Sequence, residues 1–120
     1  MNRIRFIRYK GKQILLLDFS SCKGNEIRFT VKKAKKIISG QKKNSLLTLT
    51  DIRKTEYIPV QKQAYIDYVR HNKPYVKAAA LIGVNGIKKY VVNFVQKFTK
   101  RKFHIFDART EAKEWLVKQK

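Results

Sequence analysis

Along Arg3-Ile-Arg-Phe-Ile-Arg-Tyr9 apolar and basic residues come in near alternation, the pattern of a half-exposed β-strand. After the polar turn Lys10-Gly-Lys-Gln13, Ile14-Leu-Leu-Leu17 is a continuous apolar run, which marks a strand buried on both faces. Together these predict a hairpin whose first strand lies at a sheet edge. Ser20 to Asn25 is polar and predicts a loop. From Glu26 to Ser39 the period changes. Ile27, Val31, Ala34 and Ile38 share one helical face with lysines around the rest, and Gly40 stands where helices commonly end.

Ser45 to Thr50 predicts a short strand closed by Asp51. Val60 to His71 predicts a second helix behind Pro59, with Ala64, Tyr68 and His71 turned inward. Tyr75 to Ile82, just past Pro74, predicts a strand. Tyr75, Lys77, Ala79 and Leu81 line one face of it and Val76, Ala78, Ala80 and Ile82 the other. Gly83-Val-Asn-Gly86 opens a third helix through Phe98, with Ile87, Val91, Phe94, Val95 and Phe98 apolar. Phe103 to Phe106 is the last predicted strand. Thr110 to Val117 closes the chain as a helix burying Ala112, Trp115 and Leu116, capped by Asp107 or Thr110. The order β-β-α-β-α-β-α-β-α predicts one α/β domain over residues 1–120, with a mostly parallel five-stranded sheet and an antiparallel first strand. Right-handed crossovers between strands in sequence order gather the helices on one face. The other face is then left for a partner, a lipid or a second copy, a homodimer that would have to overcome charge repulsion.

Charge changes the picture more than composition does. The 120 residues carry 29 Lys and Arg against 8 Asp and Glu, a net charge of +21. It is spread over both halves, and Lys outnumbers Arg, which favours sequence-blind attraction to polyanions over base readout. Hydrophobic residues still make up 43%, enough for a packed core. The single Cys22 allows no internal disulfide, and with only His71 and His104 beside it no zinc site. The longest apolar run, Ala78 to Val84, is far too short to cross a bilayer, and the basic Met1–Lys12 is not followed by a secretory leader. The expectation is a soluble, cytoplasmic protein with no cofactor and no metal.

Candidate chemistry is thin. Cys22 with His71 or His104 is the sole Cys/His combination, and no motif joins them. Asp18, Asp51 and Asp107 each follow a predicted strand and would gather at the carboxyl edge, where open α/β sheets place ligands, although Asp there commonly caps the next element. Thr50, Asp51, Gly83, Asn85 and Gly86 form a candidate ligand edge, but the two glycines match neither a Walker loop nor a dinucleotide fingerprint. The strongest signal is basic. Lys32, Lys33, Lys35 and Lys36 lie in the first helix, Lys42 and Lys43 follow it, and Lys97, Lys100, Arg101 and Lys102 end the third. Tyr65, Tyr75 and Tyr90 could interleave with them and stack on bases, yet no helix-turn-helix, zinc-finger or RNA-recognition signature is present.

Ile14-Leu-Leu-Leu-Asp-Phe19, Ser45-Leu-Leu-Thr-Leu-Thr-Asp51, His71-Asn-Lys-Pro-Tyr-Val-Lys77, Gly83-Val-Asn-Gly86 and Phe106-Asp107 with Ala112-Lys-Glu-Trp-Leu116 resemble bacterial STAS-like domains, the small family of the anti-sigma-factor antagonist, distantly related to the Sec14 fold. The resemblance implies a β/α superhelix with strands in sequence order, and a non-enzymatic module that works by binding. Regulatory members carry a phosphorylatable Ser after an Asp. In the matching stretch here Glu56 and Tyr57 take those places, Ile58 follows, and Thr55 is the nearest hydroxyl of similar size. The switch is therefore not implied. The expected function is a binding module for an acidic protein partner. Its alternatives are a nonspecific binder of nucleic acid or anionic membrane through the Lys clusters and, last, a small-ligand carrier or enzyme at the carboxyl edge.

Overall fold

The hairpin, the four further strand–helix alternations and their order follow the hydrophobic periodicity. The computed structural model describes residues 2–56 and 62–119. Strands β1 (Ile4–Tyr9), β2 (Lys12–Asp18), β3 (Leu46–Asp51), β4 (Val76–Ile82) and β5 (His104–Phe106) alternate with helices α1 (Asn25–Ser39), α2 (Lys62–Asn72), α3 (Ile87–Thr99) and α4 (Arg109–Val117). The sheet runs β1-β2-β3-β4-β5, with β1 antiparallel to β2 and every other pairing parallel. β1 is an edge strand, and Ile14 to Leu17 of β2 are buried throughout, as their unbroken apolar run requires. The expected start of α2 at Val60 behind Pro59 lies outside the described residues.

Alternation along β2 and β3 sends side chains to two cores. Leu15, Leu17 and Leu46 pack with Ile27, Ala34 and Ile38 of α1 on the first face. Ile14, Leu16, Leu47 and Leu49 pack with Ala112 and Leu116 of α4 on the second. This corrects the expectation of an uncovered sheet face, and with it the ground for a homodimer. The crossover rule constrains only helices that join two parallel strands. Because α4 follows the last strand, it is free to cross beneath the sheet, where it meets β2, β3, β4 and β5. Glu114 pins it to the hairpin by accepting a hydrogen bond from Tyr9 Oη at 2.5 Å and an ion pair from Lys10 Nζ at 2.6 Å.

Three local expectations change. β4 carries an irregularity opposite Leu46 and Leu47, which pair with Val76 and Ala78 and skip Lys77. Val76 consequently packs with the first core and Ala78 with the second, so strict alternation fails there. In α2 the buried positions are Ile66 and Asn72, whereas Ala64 is exposed. The start of α4 is capped by neither Asp107 nor Thr110. Ala108 occupies the cap in an extended conformation, with no side-chain hydrogen bond.

Candidate binding site

At the carboxyl edge, the parallel register sets Asp18 beside Asp51. Asp51 is wholly buried and accepts hydrogen bonds from the Arg53 backbone N–H, from Arg53 Nε and Nη2 at 3.0 and 2.7 Å, and from Arg109 Nε and Nη2 at 3.0 and 2.8 Å. Arg109 also reaches Asp18 at 3.4 Å, and Asp18 accepts from Ser20. Burial alone would raise the Asp51 pKa, but the bonds from Arg53 and Arg109 reverse this and hold it below the usual carboxylate range. Asp18 is lowered likewise, its burial outweighed by Ser20 and Arg109. Carboxylates so fully engaged have no proton to trade at neutral pH. Asp107 stays apart, exposed on the surface.

The rest of the candidate edge divides. Gly83, at φ +92°, lets the chain leaving β4 run against the segment that follows β3, since a Cβ there would lie 2.5 Å from Arg53 N. Gly86 precedes α3 at φ 56° and Asn85 is exposed. Thr50 instead faces a cavity on the first face of the sheet. Lys88 Nζ donates to Ile52 O at 2.6 Å nearby, and burial lowers its pKa against the pull of Asp51. Glu56 accepts a bond from Gly24 N at the start of α1, and Thr55 Oγ1 donates to Phe19 O at 2.6 Å, so both are engaged within the fold. Tyr57 and Ile58 lie outside the described residues.

Cys22 is a core residue, not a loop nucleophile. It is fully buried beside Thr30, and burial pushes its thiol pKa up. His71 pairs with Asn72 and packs by Tyr75, and His104 stacks on Trp115 at 4.0 Å. Among the described residues no group of three or more His, Cys, Asp or Glu could hold a metal.

The cavity lies between the sheet and the helices above it. α2 packs against both α1 and α3. The space left is about 180 Å³, walled by Leu17, Leu81, Val92 and Val95 among others. Tyr68 and Arg101 line it too. This corrects the placing of Arg101 in the surface cluster: its guanidinium turns inward, donating to Val69 O at 3.5 Å and resting 5.0 Å from the Phe103 ring. Burial lowers its pKa to about 10, against a smaller opposing pull from Tyr68, so it remains a cation at neutral pH.

The other cations remain at the surface. Lys32, Lys33, Lys36, Lys42, Lys43, Lys97, Lys100 and Lys102 are exposed and Lys35 is half-buried. The helices α1 and α3, which carry the two clusters, both pack against α2. On α3 runs a feature the periodicity hid. Ile87, Tyr90, Phe94 and Phe98 stand three, four and four residues apart, one stripe about 16 Å long on a helix rising 1.5 Å per residue. All four are exposed, Tyr90 at 77% and Phe98 at 50%, while Val92, Val95 and Thr99 fill the inner face. Phe94 and Phe98 stack at 5.6 Å. Lys62 of α2 sits 3.6 Å from the Phe94 ring centroid and Arg70 lies 4.8 Å from that of Phe98. The apolar arc of α3 is wider than its core contact, and only the packing shows which half is outside. Tyr65 lines the cavity, Tyr75 packs on the first core, and Tyr90 belongs to the outer stripe.

Residues 6–120 match the family described as Domain of unknown function (DUF7793), and the chain belongs to it. No curated protein and no solved structure matched the chain. No helix among the described residues is long and apolar enough to cross a membrane.

Proposed function

We propose that the chain is a non-catalytic, STAS-like binding module that engages an acidic protein partner through the outer face of α2 and α3. The observation that carries this reading is the exposed Phe94–Phe98 stack, with Lys62 and Arg70 held over its rings. Exposed aromatic side chains bordered by cations have the anatomy of a protein interface: an apolar centre that anchors, and a charged rim that steers and selects. The stripe has helical spacing along one rigid helix, which suits an amphipathic helix laid alongside it. With a chain at +21, the flanks of that helix would be acidic. The engaged carboxylates and the buried thiol support a role without catalysis.

The test is fluorescence anisotropy with two synthetic peptides of identical composition. One has Leu at helical spacing with Glu and Ala elsewhere, and the other is scrambled. The amphipathic peptide is expected to bind at least tenfold tighter, and the Phe94→Ala, Phe98→Ala double variant to lose that advantage. Equal binding of the two peptides would defeat the proposal. So would displacement of the peptide by duplex DNA or anionic vesicles at matched charge, since either outcome describes sequence-blind attraction.

A further inference from the structure

The interior cavity is separate from that outer face and carries an inference that does not depend on it. Two of its wall groups lack what burial demands. Among the described residues no carboxylate lies within 4.0 Å of Arg101, whose five donors find only the long bond to Val69 O. Among the described residues the enclosed Tyr68 hydroxyl meets no hydrogen-bond partner. A half-buried cation without a counter-ion and a buried hydroxyl without an acceptor each carry a cost, and one anion answers both.

We propose that this cavity is a binding site for a small apolar monocarboxylate, its tail against Leu17, Leu81, Val92 and Val95 and its carboxylate held by Arg101 and the Tyr68 hydroxyl. The chemistry of the walls selects the class. A planar carboxylate accepts two parallel bonds from the guanidinium and a third from the phenol. A phosphate, with more oxygens and a second charge, would leave lone pairs facing Leu and Val. Size bounds the tail: a cavity of about 150 Å³ admits benzene, and one of 180 Å³ suits a short aliphatic or aromatic acid. At neutral pH both Arg101 and such an acid are charged.

Octanoate and 1-octanol, which share a tail and differ in charge, test this by titration into the wild-type protein followed through its methyl NMR signals. Octanoate is expected to shift the methyls of Leu17, Leu81, Val92 and Val95, leave those of Leu16 and Leu116 on the opposite face, and bind at least tenfold tighter than 1-octanol. Arg101→Met should abolish that tenfold preference with octanol binding unchanged, and Tyr68→Phe should weaken octanoate about threefold. Octanoate that leaves the four cavity residues unmoved, or binds no better than octanol, overturns the proposal. The probe comparison uses the wild-type chain, so it decides the matter even where Arg101→Met fails to fold. Failure here leaves the peptide experiment on the outer face unaffected, because the two sites share neither residues nor probes.

Discussion

Asp51→Asn is expected to lower the unfolding free energy by about 3 kcal/mol, the lower end of what losing one member of a buried ion cluster costs. The wild-type carboxylate is wholly enclosed and holds Arg53 from its own segment and Arg109 from the start of α4. The amide preserves the shape, but it carries no charge and presents a single acceptor oxygen. The figure stays at the low end because Arg53 is half exposed and recovers part of its hydration. Urea denaturation of both proteins at neutral pH measures the difference. A loss below about 1 kcal/mol would mean that the cluster contributes little net stability. The same group sets the acid limit. Its folded pKa is depressed, so the stability it contributes is complete above the unfolded value of about 3.9 and disappears as pH falls from there through the folded value. Wild-type stability should therefore fall steeply below about pH 4, with Asp18 adding to the slope, and Asp51→Asn should fall less steeply over that window.

Leu116→Ala is expected to cost about 3 kcal/mol, and more than Leu81→Ala by about 1 kcal/mol. Leu116 is fully buried where α4 meets the second face, among Ile14, Leu16, Leu49 and Ile82, and its removal leaves a void that closely packed neighbours cannot fill. Leu81 already borders the open cavity on the first face, so truncation there removes fewer contacts. Paired urea unfolding curves give the comparison. Equal losses, or a larger loss for Leu81→Ala, would show that the α2–α3 side is packed as tightly as the α4 side.

These two faces also show where the sequence was readable. Period-two and period-3.6 patterning located every strand and helix, because the core demands it of each residue in turn: the run Ile14 to Leu17 had to be central, and Arg3 to Tyr9 had to be an edge. Which face a terminal helix covers is set by packing after the last strand, which no periodicity encodes, so the covering of the second face by α4 was not legible. The carboxyl-edge cluster was half legible. The position of Asp18 and Asp51 after strands brings them together, but their partner Arg109 comes 58 residues beyond Asp51 and has no local signature. Arg101 looked like one more surface cation beside Lys100 and Lys102. Its left-handed neighbour Lys100, at φ 58°, turns the chain just there, and the guanidinium ends inside. The exposed stripe was not legible for a related reason: Phe94 and Phe98 have the spacing of core residues, and burial alone tells an inner face from an outer one.

The location of partner binding tests the central claim most directly. Backbone NMR signals of the labelled protein would be followed while the acidic amphipathic peptide is added at physiological salt. The account predicts shifts concentrated in α2 and along Ile87, Tyr90, Phe94 and Phe98, with the Lys32–Lys43 region of α1 and its following loop little affected. Shifts centred on those lysines, or spread evenly over every basic segment, would contradict it and show the charge acting without the aromatic stripe.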